Sequence, residues 1–465
     1  MTSDEQFHSN RSLIRDTMSP AFLHEVVAPI LHSTTKDLLS LWDNKIRLAR
    51  QRPFHADRDI IRCVVEMILL ASLGTRTDLS GKQIDLLRTL DQTKSQADPD
   101  LPVLFPKAEE SPTYSTVRTL VDSIAIGMSS PVPRLHMMFA LRFYPSLARA
   151  KRMTHALISR VLETAWTKFY NSDSYDNKSN VSCAADLMVR REAYLAKKQN
   201  RAVVREYPAI RDELMGFYIA GHETTASTIC WAVKYLSQYQ NIQGRLRSAL
   251  RSAFQTAHTE KRLPTADEIV RANIPYLDAF IEESHRLGNA IPSTIRRTMR
   301  DTVILGHRVP KGTDVFMMSN GPGYQSPALP VDEQKRSPTS QQTKERYGVW
   351  DHNDIGYFHP ERWLKVDQEG KTRFNPYAGP TMAYGAGLRG CFGMRFPLCT
   401  PINSLYSNST LGIKLAILEL KIITTMIVWT FELQTTPTNL SSFKAYDMNT
   451  HKPEQTYLRL LKIEK

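Results

Sequence analysis

The chain has little cysteine: five in 465 residues, at Cys63, Cys183, Cys230, Cys391 and Cys399. An odd number at irregular spacing forms no disulfide framework, which points to reduced thiols facing the cytosol rather than a secreted, cross-linked protein. It lacks any run of about 18 apolar residues, so no segment reads as a membrane-spanning helix. Its first residues, MTSDEQFHSNRSLIRDTMSPAF, lack the layout of a signal peptide or an anchor. There is no internal repeat. A net charge of +13 raises nucleic-acid binding, but Lys and Arg are scattered and no basic run is interleaved with aromatics. Nucleic acid is therefore not an expected partner, and the basic surface is left to an acidic protein or a membrane surface.

What is present is mostly helical pattern. HEVVAPILHSTTKDLLSLWDNKIRLA and RDIIRCVVEMILLASLG carry apolar residues at three- and four-residue spacing, the second closing on Gly74. Pro-bearing loops follow around 98–112. Helical periods return over 134–169, and SDSYDNKSN is a polar break. Residues 214–236 are apolar nearly all round, which predicts a helix through the interior. Another helix ends at LDAFIEESHRLG. DTVILGHRVPKGTDVFMM then reads as strands around turn signals at Gly306-His307 and Pro310–Gly312. A long polar loop is predicted from Gly321 to Asp354. The fold class is mainly α with small β-sheets.

Four stretches carry chemistry. The first, YGAGLRGCFG, places four glycines around the thiol of Cys391 and the guanidinium of Arg389. Glycines let backbone N–H groups approach and point at a sulfur, and such donors with nearby positive charge favour a thiolate and tune its electron donation. The arrangement suits a cysteine that is an axial metal ligand, as of a haem that activates dioxygen; an ordinary structural turn is the competing reading. The second, AGHETT, puts Gly221, Glu223, Thr224 and Thr225 inside the apolar helix, where such residues are poor choices. Thr224 can bond back to the Ala220 carbonyl and open the helix locally, setting an acid and a hydroxyl where they could move protons. His222 and Glu223 diverge by about 100° on a helix and share a metal poorly. The third, Glu283-Ser284-His285-Arg286, pairs an acid and a base on one helix face. The fourth, FHPERW, begins a turn at Pro360 and brings Arg362.

In this order, Gly-x-Glu-Thr-Thr, Glu-x-x-Arg, Pro-Glu-Arg-Trp and Tyr-x-x-Gly-x-Arg-x-Cys-x-Gly resemble the cytochrome P450 family, and within it a fungal enzyme of secondary metabolism. The resemblance runs from about Arg11 to the C-terminus, with an interruption after Gly393. It implies the cytochrome P450 fold and a single haem-thiolate domain over 1–465. It implies haem b as cofactor, with Cys391 as the iron's axial ligand and Glu223 and Thr224 in proton delivery. Glu283, Arg286 and Arg362 would form a buried structural network. Arg389, with Arg15 and Arg296, would pair haem propionates, and Tyr384, Gly387 and Gly393 would line the cofactor from the cysteine loop. Tyr384 stands where the family usually has phenylalanine, and its ring would lie against the cysteine. Pro292–Ile295 and the turn near Phe443 would contact substrate.

The reaction implied is insertion of one oxygen atom from dioxygen into a small hydrophobic substrate, with electrons from NADPH through NADPH–cytochrome P450 reductase. Two other readings stand beside it: a reductase-independent isomerase or lyase of the same family, against which the Glu223-Thr224 pair argues, and a degenerate, non-catalytic relative. The family resemblance also implies an N-terminal anchor and first helices and strands before the segment matching Arg11. The complete protein is therefore expected at the cytosolic face of the endoplasmic reticulum membrane.

The interruption has a definite length. In the family a small residue stands six after the cysteine and an acid nine after; here those positions hold Pro397 and Thr400. Removing Met394 to Gly412, nineteen residues, joins CFG to IKLAILELK and puts Ala416 and Glu419 at those two places. If Gly393 is encoded GGT, the following ATG completes an intron-donor-like GTATG, and Leu411-Gly412 can supply a terminal AG. Residues 394–412 are expected to be a translated, retained intron; a genuine insertion looping out below the cofactor is the alternative.

Overall fold

A computed structural model describes residues 4–90, 98–128, 130–171, 181–205, 208–385, 390–391, 415–447 and 449–463. They fall into two compact units. The first draws on Met1–Ala226, Pro264–Arg271 and Pro397–Ile427, and the second on Ser227–Leu263, Ala272–Phe396 and Val428–Lys465.

The first unit is helical. The Ala28–Ala49 helix starts with Pro29 in its first turn and buries Leu31, Leu38, Leu41, Trp42 and Leu48, a spacing of three and four that gives one apolar stripe. The Asp57–Leu73 helix packs against it, with Asp57 and Asp59 in its first turn, where the helix dipole favours acids. It stops where the sequence predicts, at Gly74 (φ +63°), a backbone conformation that side chains disfavour. Between these helices the Lys45 ammonium lies 2.5 Å from Asp59, which also accepts the Trp42 indole N–H at 3.1 Å. Glu66 accepts the backbone N–H groups of Asp78 and Leu79 and so caps the Leu79–Arg88 helix. The periodic stretch 134–169 forms two helices, Pro133–Phe143 and Pro145–Tyr170.

The predicted interior helix is Pro208–Gln238. Its internal glycine has a packing reason: a Cβ on Gly221 would lie 2.7 Å from the tip of Ile68. No helix among the described residues is long and apolar enough to cross a membrane.

The second unit carries the strands. Ser293–Arg297 pairs antiparallel with Asp314–Met318, opposing Ile295 to Phe316. Thr302–Ile304 pairs with His307–Val309. Its turn residues are Leu305 (φ +50°) and Gly306 (φ +84°), one position earlier than the Gly306-His307 signal predicts. Phe431–Gln434 pairs with Tyr457–Lys462, and the opposed Leu433 and Leu460 are buried. The Pro275–Leu287 helix buries Leu277, Ala279, Phe280 and Ile281, and Ala279 joins Trp350, Ile355 and Trp363 in a compact apolar cluster.

The stretch 321–354 is not the continuous loop expected. It contains a 3-10 turn, Glu333–Lys335, and a helix, Pro338–Tyr347, capped by Ser337, whose hydroxyl accepts the Ser340 N–H. That helix buries no residue, so the sequence offers no apolar period by which to see it.

Candidate active site

The Glu-x-x-Arg pair is the best-defined part of the site. Taken by spacing alone it is a solvated pair on a helix surface; in the structure both side chains have no exposed area. Arg286 grips Glu283 with two N–H donors, each at 2.8 Å. The same carboxylate accepts the Arg362 guanidinium at 3.0 Å, the Trp363 indole N–H at 2.9 Å and the His359 backbone N–H at 2.9 Å. Arg286 also donates to the carbonyls of Tyr324, Ile355 and Tyr357. Arg362 reaches on to Asp354, at 2.9 Å. Burial works against the Arg362 charge, but Glu283 and Asp354 outweigh it and raise the pKa above its ordinary value. Both guanidinium groups lie over the Trp350 ring, 5.4 Å from its centroid. Glu283, Arg286 and Arg362 thus lie in one network in which the carboxylate oxygens accept and the guanidinium groups donate, the condition under which a buried ion pair holds. Trp363, the last residue of FHPERW, joins it as well, as do Asp354 and Trp350, which no local pattern in the sequence marks as members.

The cysteine turn lies close to that helix. The Cys391 N–H donates to the Tyr384 carbonyl at 2.8 Å, closing the turn, and Gly385 adopts φ +65° inside it. Among the described cysteines Cys63, Cys183 and Cys230 are buried and Cys391 is exposed. Burial pushes the Cys63 thiol well up and that of Cys183 up to about 11, which keeps both protonated and unreactive. Gly387, Arg389 and Gly393, and the interruption at 394–412, lie outside the described residues. The Tyr384 side chain meets His285. Its hydroxyl is 2.9 Å from Nε2 and 3.3 Å from Nδ1 of that imidazole.

In the first unit the AGHETT stretch behaves partly as predicted. Thr224 donates its hydroxyl to the Ala220 carbonyl at 2.8 Å. The helix nevertheless stays α-helical through the motif, so the predicted local opening does not occur; the back-bond is accommodated within ordinary helix geometry. His222 is buried, with Nδ1 bonded to the Tyr218 carbonyl at 2.8 Å and its ring stacked on Tyr218, which removes it from the reading as half of a metal pair. Glu223 and Thr224 are partly exposed neighbours. Thr225 donates to Glu419 Oε2 at 2.7 Å, a contact that no local signal in the sequence announces.

The remaining predicted residues are less gathered. Arg15 starts a 3-10 turn and is largely exposed, its guanidinium 4.0 Å from Asp16. Arg296 lies inside the Ser293–Arg297 strand, bonded to its neighbour's carbonyl. Ser293–Ile295, within the stretch expected to contact substrate, is strand, as β-branched Thr294 and Ile295 suit a pleated ladder. Phe443 stands over Lys234 and beside Tyr235 and Trp231.

A family model described as Cytochrome P450 matches residues 3–325. The chain belongs to the cytochrome P450 family. It is 41% identical over 463 residues to the cytochrome P450 monooxygenase GME11363 of Pestalotiopsis microspora, covering 99% of this chain and 77% of that one. It is 31% identical to the cytochrome P450 monooxygenase TRI13 of Fusarium sporotrichioides, covering 98% and 78%. It is 35% identical over 325 residues to the Hps1-dma1 cluster cytochrome P450 monooxygenase cyp3.1 of Dothistroma septosporum, covering 67% and 96%. The crystal structure of the cytochrome P450DA heme domain superposes with a TM-score of 0.62 at 17% identity, covering 98% of this chain and 77% of that chain, which supports the P450 fold. This P450 is an oxidoreductase of the monooxygenase kind, and its family's cofactor is a haem whose iron takes a cysteine thiolate. The residues present fit that group. Of the described thiols only Cys391 is accessible, and it lies at a turn closed by its own backbone N–H.

Proposed function

We propose that this P450 inserts one oxygen atom from dioxygen into a small hydrophobic organic substrate in fungal secondary metabolism. Cys391 would ligate the iron of haem b, with electrons from NADPH through NADPH–cytochrome P450 reductase. The observation that carries the assignment of the ligand is the exposure of Cys391 against the burial of the other described thiols. The cluster name of the Dothistroma relative supports the secondary-metabolic setting. Its location would be the cytosolic face of the endoplasmic reticulum membrane.

When bound, the haem supplies the redox chemistry of dioxygen activation; the protein supplies position and protons. In our reading the Glu283–Arg286–Arg362 network fixes the Pro275–Leu287 helix and the loops around it. The Tyr384 carbonyl holds the Cys391 N–H, which fixes the backbone at the sulfur. Thr224 donates its own hydrogen to Ala220, and a hydroxyl so engaged still has acceptor capacity at Oγ1. To pass a proton on, Thr224 would turn its hydrogen from Ala220 to the acceptor while Oγ1 takes a replacement proton, for which the Glu223 carboxyl is the adjacent source; the hydroxyl then ends with one hydrogen, as it began. Gly387, Arg389 and Gly393 would complete the cofactor's surroundings, with Arg15 and Arg296 as weaker candidates for its propionates.

We also propose that both compact units belong to one haem-thiolate domain and that residues 394–412 are not part of its working form. The support is Glu419. Removing the nineteen residues places it nine after Cys391, and it is buried and hydrogen-bonded to Thr225, as a position with a structural role would be.

The test is spectroscopic. The full chain and a variant lacking Met394–Gly412 are expressed with haem, reduced and exposed to carbon monoxide. The thiolate signature should be present in the deletion variant, weaker or absent with the insertion, and abolished by Cys391→Ser. Cys391→Ser retaining the signature would overturn the ligand assignment. Turnover that persists without NADPH would favour an isomerase or lyase.

A further inference from the structure

We infer that Tyr384 and His285 form a tether that holds the cysteine turn to the network helix, making Tyr384 a positioning residue for the thiolate. This inference rests on the reading of Cys391 as the iron's ligand.

Tyr384 is bound at both ends. Its carbonyl accepts the Cys391 N–H at 2.8 Å, and its hydroxyl lies 2.9 Å from His285 Nε2. The two rings meet edge to face, with centroids 4.9 Å apart, an arrangement aromatic pairs prefer. His285 is itself fixed. It lies in the Pro275–Leu287 helix between Glu283 and Arg286 and is 5% exposed. In the neutral ring one nitrogen carries hydrogen and the other accepts. Burial holds the imidazole pKa down to about 4, so the neutral form is the one present near neutrality. Either tautomer closes the bond: the hydroxyl donates to a bare Nε2 or accepts from Nε2–H.

The pairing explains a departure in the sequence. The family resemblance gives phenylalanine at position 384. A phenylalanine here would leave a buried imidazole nitrogen without the hydroxyl, at the cost that unsatisfied buried polar atoms carry. The helix turn bearing Glu283, His285 and Arg286 thus works in two directions. Glu283 and Arg286 bind the segments around Tyr324, Ile355, Tyr357 and Arg362, and His285 binds the cysteine turn. Thermal displacement of Tyr384 would be transmitted to the Cys391 amide through a single residue's backbone.

The test uses the haem-loaded enzyme as Tyr384→Phe, His285→Leu, the double variant and His285→Gln, whose amide can replace Nε2 as the hydroxyl's hydrogen-bond partner. Three readouts apply: the haem reduction potential, the rate at which the ferrous carbon monoxide complex loses its thiolate signature, and the unfolding midpoint. Losing one hydrogen bond should speed loss of the signature about threefold to tenfold. Tyr384→Phe and His285→Leu should each do so and shift the potential, the double variant should be no worse than either, and His285→Gln should match wild type. Should His285→Leu fail to fold, Tyr384→Phe against wild type and His285→Gln decides alone. Wild-type rate and potential in Tyr384→Phe, or fully additive effects in the double variant, overturn the tether while leaving the ligand assignment standing. A wild-type enzyme with no thiolate signature overturns both.

Discussion

Thr225 donates its hydroxyl to Glu419 at 2.7 Å, and both side chains are buried. The other carboxyl oxygen of Glu419 is buried with no hydrogen-bond partner among the described residues. An ionised carboxylate in that position would be desolvated and unpaired. Burial accordingly pushes the Glu419 pKa up to about 8, against a smaller opposing effect of the Thr225 hydrogen bond.

The sign of the consequence follows from proton binding. In the unfolded chain Glu419 ionises near 4.5, and in the folded chain only near 8. Between those values the folded state holds the extra proton, so stability falls as pH rises through the window and levels off above it. Glu419→Gln keeps the shape and an acceptor for Thr225 but has no proton to lose. Urea midpoints at about pH 5 and about pH 8 should differ more in wild type than in Glu419→Gln. Equal differences would mean that Glu419 is charged in the fold.

Arg362 is the member of the buried network contributed by the Pro360–Trp363 turn. Arg362→Ala leaves Glu283 with Arg286 but removes two further N–H contacts to Asp354. Breaking a buried pair by deleting one partner costs about 3–5 kcal/mol. The variant should lose much of its yield of haem-loaded protein and unfold at markedly lower denaturant. Arg362→Lys should recover only part, since an ammonium cannot reproduce the fork.

Thr224 tests the proton assignment. Thr224→Ala removes the relay atom and its back-bond to Ala220, while alanine is the better helix former by a few tenths of a kcal/mol. The thiolate carbon monoxide spectrum and thermal stability should be unchanged. Product formed per NADPH consumed should fall by about tenfold or more, within the range that positioned proton transfer contributes. An unchanged ratio would move the proton route elsewhere.

Gly288 follows the Pro275–Leu287 helix, and a Cβ there would lie 2.5 Å from Cγ of Trp231. The indole cannot swing away freely, because its N–H donates to the His451 carbonyl at 3.2 Å and its ring stacks on His451. Gly288→Ala should therefore lower stability by about 1–3 kcal/mol, the usual cost of overpacking, read as a shifted denaturation midpoint. A neutral effect would show that the Trp231 and His451 contacts yield easily.

Much of this architecture is legible in the amino-acid sequence. Periodicity locates the long helices, and the Gly74 stop is readable because glycine at a helix end has one conformational reason. The pairing of Glu283 with Arg286 follows from their spacing, yet their complete burial does not. Burial is decided by Trp350, Asp354 and Trp363, which come from segments some 70 residues away along the chain, as the 71-residue separation of Arg286 from Tyr357 illustrates. His285 stands inside the Glu-x-x-Arg motif with no role that spacing can assign, because its partner is 99 positions away. Glu419 is found by register alone, and its contact with Thr225 spans 194 positions. The Pro338–Tyr347 helix leaves no trace in the pattern, since an exposed helix has no stripe to detect.

Arg286 holds the Tyr324 carbonyl with one N–H and the Ile355 carbonyl with the same nitrogen, at 2.5 and 2.7 Å. The chain between those two carbonyls leaves and returns to one guanidinium. Lengthening such an excursion adds only slowly to its closure entropy, and neither anchor need move. The Pro338–Tyr347 helix within that excursion buries no residue, and is thus a place where descendants of this gene can gain or lose residues while Trp350 and Asp354 keep their places in the network.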